Sequence, residues 1–395
     1  MRRAVAIFGT RPEAIKLAPI ILGFDGDLDV ELLTCTTGQH REMLDQVLQD
    51  FEITPSTSLD VMRPCQTLAM LTSRMVEEID KVVTKLHPDI ILVQGDTTSA
   101  FCASLVGFYN RIPIAHVEAG LRTGNLQAPW PEEANRVMIT RLASLHFAPT
   151  ELAVRNLLNE GISNEAITLT GNTVIDALLH AVERANQLKP FVPGLPAHLL
   201  DDGSPLVLVT GHRRENFGEG LRQICMAIAE LSQQFPEVHF VYPVHLNPNV
   251  RQPVWEILGR HAQHGNVHLI EPLAYLPFVR LLNASTLVLT DSGGIQEEAP
   301  SLGKPTLVMR ESTERPEAVA AGSARLIGTA TDKIISNVAM LLTNDGLRQQ
   351  MSSVSNPFGD GRATQRIVAR CRQFLGLDGG MTQSPRIAQS HFKEE

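Results

Sequence analysis

The feature of this sequence that most restricts its fold is an alternation of short, apolar, β-branched runs with longer stretches of helical periodicity. In the first half the runs are Ala4–Phe8, Val30–Thr34, Ile90–Val93, Ile114–Val117 and Leu145–Ala148. In the second they are Leu206–Thr210, His239–Tyr242, Val267–Ile270, Leu287–Thr290 and Thr306–Val308. Strand, helix and strand in succession make βαβ units, and these build parallel sheets. Several runs are apolar at nearly every position, as strands must be when helices cover both faces of the sheet. From Thr67 the residues Leu68, Leu71, Met75, Ile79, Val82 and Leu86 recur every three or four positions, which predicts a helix with a core-facing stripe. The expected class is α/β with doubly wound parallel sheets.

A chain of 395 residues exceeds what one hydrophobic core serves, so two Rossmann-like domains are expected, one per half. The Pro- and Gly-rich segments Leu188–Pro196 and Asp201–Pro205 mark the boundary region, between about Gly171 and Pro205. After Leu377 the chain turns Gly-, Ser- and Gln-rich, so 378–395 reads as a mobile tail.

Charge and cysteine usage narrow the function. A formal net charge of −9 leaves no basic surplus for nucleic acid or an anionic membrane, so an anionic ligand must be held by a local cluster. Aromatics at 5% argue further against base stacking on single strands. Cys35, Cys65, Cys102, Cys225 and Cys371 are odd in number and scattered, which fits reduced thiols in the cytoplasm and no metal centre. The first apolar run stops at Gly9, unlike a signal peptide, and no segment reaches the length of a membrane span.

Chemistry concentrates where runs end. Asp291-Ser292-Gly293-Gly294-Ile295-Gln296-Glu297-Glu298 follows a strand and opens a helix, which places Ser292, Gly293 and Gly294 where backbone amides can approach a diphosphate and Glu298 where it can turn toward ribose hydroxyls. A lone Gly-Gly would be an ordinary turn; strand, Ser-Gly-Gly and Glu together point to a nucleotide. Gly211-His212-Arg213-Arg214-Glu215 sets a tunable proton donor and cations at the first loop of the second half, and Arg315 is a further candidate anion clamp. Gly9-Thr10-Arg11-Pro12-Glu13 has capping-box spacing, with Arg11 and Lys16 adding charge at a helix start whose amides favour anions. It reads equally well as a plain capped helix. It carries no G-x-G-x-x-G, so no dinucleotide cofactor is expected. Asp96, Glu118 and Glu132 lie at or beyond the carboxyl ends of strands, where acid and base roles can be divided between carboxylates. Taken singly, Asp96 and Glu118 could simply cap the helices that follow.

In order and content these motifs, together with Gly95-Asp96-Thr97-Thr98, His116-Val117-Glu118-Ala119-Gly120-Leu121-Arg122-Thr123, Pro131-Glu132-Glu133-Ala134-Asn135-Arg136, Gly171-Asn172-Thr173-Val174-Ile175-Asp176 and Glu314-Arg315-Pro316-Glu317-Ala318, resemble the non-hydrolysing bacterial UDP-N-acetylglucosamine 2-epimerases from about Arg2 to Leu375. The resemblance implies a glycosyltransferase-B-like architecture, two Rossmann-like domains with a cleft between them. The domains would be 1–170 with a crossing helix in 364–377, and a UDP-binding 171–363. It implies that Ser292, Gly293 and Gly294 bind phosphate, Glu298 ribose and Phe278 the uracil region. Arg11, His212 and Arg315 would surround the diphosphate, Arg213 would also bind substrate, and Lys16, Asp96, Glu118 and Glu132 would complete the sugar end.

The implied reaction is reversible inversion at C2, with UDP eliminated to a 2-acetamidoglucal and then re-added. Asp96, Glu118 and Glu132 would move protons, His212 would assist departure, and no cofactor would be needed. The product would feed a bacterial surface polysaccharide. Leu273 departs from relatives that carry a polar residue near the uracil pocket. Some relatives take a second UDP-N-acetylglucosamine as activator near segments matching Gln39-His40-Arg41 and Arg213, which the sequence leaves open here. A homodimer is implied by the family alone. The rival readings are a glycosyltransferase, a hydrolysing epimerase and a non-catalytic UDP-sugar sensor.

Overall fold

The computed structural model describes residues 1–38 and 41–377. The tail expectation for 378–395, and Gln39 and His40 of the activator segment, lie outside the described residues. The chain divides into two compact units, Met1–His180 with the chain from Gly361 onward, and Ala181–Asp360. Among the described residues no helix is long and apolar enough to cross a membrane.

The first unit is built on seven parallel strands: β1 (Arg2–Phe8), β2 (Val30–Thr36), β3 (Thr57–Ser58), β4 (Ile90–Gln94), β5 (Ile114–Val117), β6 (Leu145–Ala148) and β7 (Ile167–Leu169). Their spatial order is β3-β2-β1-β4-β5-β6-β7. Val5 pairs with Leu33 on one side and Ile91 on the other, so the centre of the sheet is apolar in register. The core on one face joins Val5, Ile7, Ile91 and Val93 to Met75, Ile79, Val83 and Val106. On helix Leu68–Leu86 the buried residues are Leu71, Met75, Ile79 and Val83, a strict every-fourth-residue ridge laid along helix Thr98–Tyr109. That ridge corrects the expected stripe at three places, Leu86 being only partly buried against the core. Leu68, in the first turn, is 37% exposed, and Val82 only flanks the core that Val83 enters.

The second unit has six parallel strands: β8 (Leu206–Thr210), β9 (His239–Pro243), β10 (Val267–Ile270), β11 (Leu287–Thr290), β12 (Thr306–Val308) and β13 (Ala324–Leu326), ordered β10-β9-β8-β11-β12-β13. Val207, Val209, Phe240 and Leu289 form its core with Ile224, Ile228 and Val254 of the covering helices. Both sheets are the expected parallel, doubly wound kind.

The units divide within helix Thr173–Leu188, between His180 and Ala181. Asp176 explains why the start of this helix stays with the first unit. Its carboxylate accepts from the amides of Ala363 (3.2 Å) and Thr364 (2.8 Å), the opening residues of the last helix, Ala363–Phe374. That helix is held at its other end by Arg372, paired with Asp27 (2.6 Å) and Asp29 (2.8 Å). Where it meets helix Arg11–Gly23, Gly23 leaves the room that Thr364 occupies, since a Cβ there would lie 2.8 Å from the threonine methyl.

Candidate active site

In the first unit the strand order turns at β1 and β4, and in an open parallel sheet ligands bind beyond the carboxyl ends of the strands at such a point. The Thr10–Glu13 capping box is formed there, with Pro12 in the first turn. The buried Glu13 carboxylate accepts from the amides of Gly9 (3.0 Å) and Thr10 (2.7 Å) and from the Thr97 hydroxyl (2.6 Å). Burial raises its carboxyl above the usual range, and these bonds offset that only in part. The Gly9 and Thr10 amides therefore face Glu13. What the loop presents is side chain, with Arg11 half-buried at the helix start.

Next to it the carboxylates gather. Glu118 follows β5 with φ +63, a left-handed backbone that costs a non-glycine residue about 1–3 kcal/mol and is tolerated where surrounding contacts enforce it. The contacts are visible. Lys16 Nζ lies 2.6 and 2.7 Å from the two carboxylate oxygens, Asn172 Nδ2 donates at 3.0 Å, and Gln94 Nε2 donates to Oε2. Asp96, after β4, is half-buried and paired with Arg136 at 2.5 Å. Burial raises its carboxyl pKa, Arg136 holds it down, Glu118 and Glu132 push it up, and Lys16 lowers it. Those influences place Asp96, Glu118, Glu132 and Lys16 within one electrostatic neighbourhood. Glu132 opens helix Glu132–Leu142, and its neighbour Glu133 turns inward to accept from the amides of Thr123 and Gly124, each at 3.0 Å.

Behind the cluster, two imidazoles are buried as register partners, His116 on β5 and His146 on β6. His116 Nε2 bonds the Gly95 carbonyl at 2.8 Å, steadying the turn that presents Asp96. Desolvation lowers His116 to about 3 and His146 to about 4. In the unfolded chain both take a proton near pH 6.5. As pH falls below that value the unfolded chain binds protons the fold refuses, so stability is lost progressively toward pH 4. Urea titrations from pH 7 down to 4.5 should show the midpoint falling steadily, a loss on the order of a few kcal/mol; a flat midpoint would mean both imidazoles are protonated without cost.

In the second unit the order turns at β8 and β11. Helix Gly293–Ser301 starts after Asp291, and its N-cap Ser292 makes no side-chain capping bond, whereas Thr67, Thr97 and Thr150 cap their helices. First-turn amides have no partner inside a helix, so this end keeps donors for an anion. Arg213 reaches over it: a Cβ on Gly293 would lie 3.5 Å from the guanidinium, which also meets Glu314 at 3.5 Å.

The loop carrying His212 and Arg213 is fixed by the buried Asp291 carboxylate, which accepts from both backbone amides (2.9 and 2.8 Å) and from Asn216 Nδ2 (3.1 Å). His212 stacks on His245 with ring centroids 5.3 Å apart. Burial lowers its pKa, Asp291 raises it, and His245 and Arg213 lower it. Arg315, read as an anion clamp, directs its Nε at the buried Glu297 and NH1 at the Glu314 carbonyl (3.1 Å), so part of its donor set is committed within the protein. Glu298 is half-buried on helix Gly293–Ser301, and Phe278 is half-buried on helix Tyr275–Ala284.

Each unit thus assembles its own predicted residues at its switch point, Lys16, Asp96, Glu118 and Glu132 in one and His212, Arg213, Ser292, Gly293 and Gly294 in the other. Sequence reasoning passed over the groups that hold them: Gln94, Asn172 and Arg136 in the first unit, Asp291, Asn216 and His245 in the second. Asp291, Arg136 and Asn172 stood inside motifs quoted from the sequence but were given no role there. Among the described residues no group of three or more His, Cys, Asp or Glu is arranged to hold a metal ion.

Comparison with known proteins shows the family. Residues 24–372 match the family model described as UDP-N-acetylglucosamine 2-epimerase. The UDP-N-acetylglucosamine 2-epimerase of Yersinia pestis is 54% identical over 93% of this chain and 97% of its own. That of Escherichia coli K12 is 51% identical over 93% of this chain and 97% of its own. The crystal structure of the Neisseria meningitidis enzyme bound to UDP-GlcNAc superposes with a TM-score of 0.82 at 47% identity, covering 94% of this chain and all of that one.

Proposed function

The chain belongs to the UDP-N-acetylglucosamine 2-epimerase family, and from that premise we propose that it inverts C2 by eliminating UDP and adding it back. The hydrogen at C2 is not acidic, because no carbonyl adjoins that carbon. Removing it becomes feasible when the C–H electron pair can form a C1=C2 double bond while the C1–O electrons leave with UDP, giving UDP and a 2-acetamidoglucal. Return of UDP to C1, with a proton delivered to C2 from the opposite face, completes the inversion. Atoms and electrons balance without an oxidant.

The observation that carries this reading is the paired environment of Asp96 and Glu118. Glu118 is bonded by Lys16, Asn172 and Gln94, contacts that favour a carboxylate, while Asp96 is pushed toward its protonated form by burial and by Glu118 and Glu132 against the opposing pull of Arg136. Two carboxyls with opposed tendencies suit removal of a proton from one face and delivery to the other. Asp96, Glu118 and Glu132 act on the sugar in this reading. Arg11, Arg213, Arg315 and the Ser292–Gly294 amides take the diphosphate charge as it develops, and His212 protonates it. Glu298 binds the ribose and Phe278 the uracil.

The enzyme works in the cytosol, where UDP sugars are made, which its free cysteines suit. Its product serves surface-polysaccharide synthesis. It acts as a homodimer, a reading supported by the adjacent exposed aromatics Phe108 and Tyr109 of the first unit.

The test is incubation with UDP-N-acetylglucosamine in heavy water without added cofactor, following C2 by NMR. Deuterium at C2 in a mixture of the two epimers is expected. Substrate that keeps its C2 proton would sink the mechanism, and free N-acetylmannosamine would replace it with hydrolysis.

A further inference from the structure

The sequence motif that first suggests a nucleotide begins with a residue to which ligand binding assigns nothing. Asp291 is 1% exposed, so its carboxylate is closed to a substrate. All the bonds the structure gives that carboxylate come from a loop 75 to 79 residues away in sequence. Oδ2 accepts from the His212 amide (2.9 Å), the Arg213 amide (2.8 Å) and Asn216 Nδ2 (3.1 Å); Oδ1 accepts from the His212 amide (3.2 Å) and lies 3.8 Å from His212 Nδ1. Asn216 Nδ2 also reaches the Met309 carbonyl beyond β12 at 3.2 Å. The carboxylate therefore sits where the turns after β8, β11 and β12 meet.

The same turn is braced from below. Buried Tyr242 donates its hydroxyl to the Gly211 carbonyl at 2.9 Å, and a Cβ on Gly211 would come within 3.0 Å of that hydroxyl. A buried charge is costly unless fully bonded, and this one is bonded to the backbone of the two residues whose side chains point outward.

We propose that Asp291 is a positioning residue for UDP departure: it locks the His212–Arg213 backbone against the Ser292-Gly293-Gly294 helix start and sets a fixed negative charge behind the His212 ring. The proposal rests on the reading of this cradle as the UDP site and deepens it. A positively charged rim would otherwise drift toward solvent, and His212 would lose its proton more readily. The charged and titratable groups facing His212 are Asp291 from the turn after β11, His245 from the turn after β9, and Arg213 on its own loop; of these only Asp291 favours the imidazolium.

Asp291→Asn keeps the shape and removes the charge. UDP affinity by calorimetry should fall about tenfold or more. The His212 Cε1–H resonance, assigned by its loss in His212→Asn, should titrate about one pH unit lower. A folded variant that binds UDP as wild type does would overturn the proposal, and so would weakened binding with an unmoved His212 titration, the mark of a purely structural role. Should Asp291→Asn not fold, Asn216→Ala leaves the carboxylate and removes one donor. It should weaken UDP binding severalfold without moving the His212 titration, and unchanged affinity there would overturn the proposal. Wild-type protein that binds no UDP would instead overturn the reading of the cradle itself.

Discussion

Asp96→Asn is expected to lower turnover by about a thousandfold while leaving UDP affinity within about threefold of wild type. The asymmetry follows from where Asp96 stands. It belongs to the first unit, bonded to Arg136 and within the fields of Glu118, Glu132 and Lys16, whereas the Ser292–Gly294 turn belongs to the second. Asparagine fills the same volume and can still accept from Arg136, so folding should survive, but it cannot exchange a proton with carbon. Deuterium incorporation at C2 and calorimetry with UDP, run on the same preparation, measure both quantities. Turnover within tenfold of wild type would remove Asp96 from the proton-transfer machinery, and a parallel collapse of UDP binding would mean that it acts through the fold.

The largest effect on stability should come from Gly120→Ala. Gly120 has φ +90, where an L side chain is strained, and a Cβ there would lie 2.3 Å from the Ala153 carbonyl oxygen, a backbone atom at the start of helix Glu151–Asn159 that cannot step aside. The Gly120 carbonyl is itself held by Asn156 Nδ2 at 2.9 Å, so the turn cannot rotate to relieve the clash without losing that bond. A loss of about 3–5 kcal/mol is expected in urea unfolding, a large part of the stability of an ordinary domain. Gly124→Ala supplies the comparison: φ is +74, yet nothing lies within 4 Å of the added carbon, so only the backbone strain of about 1 kcal/mol should appear. Equal midpoints for the two variants would show that the contact with Ala153 yields easily.

The contrast bears on what a sequence can disclose. Central strands such as β5, β8 and β11 were legible to the residue because they are buried on both faces and must be apolar throughout. β3, β7 and β13 were missed for the converse reason. They are sheet edges of two or three residues, with polar members and half-open faces, and leave no apolar run to detect. The candidate site followed the same division. Side chains placed immediately after strands, Asp96, Glu118, His212 and the Ser292 turn, were readable because chain order alone puts them there. Their supports were not. Lys16 meets Glu118 across 102 residues and Asn172 meets it across 54, and neither pairing has a local pattern. The capping box at Thr10 was readable, whereas its consequence, that Glu13 takes the loop amides, depended on how deeply Glu13 is buried.

Helix Ala363–Phe374 packs against helix Arg11–Gly23 and is clamped by Asp176, Asp27 and Asp29, all made long before it. In order of synthesis, the unit begun first is finished last. While the ribosome translates 181–360, the early sheet waits with an unpaired Asp27–Asp29 corner and an uncovered face of its first helix, the stretch of time in which a chaperone would find most to bind.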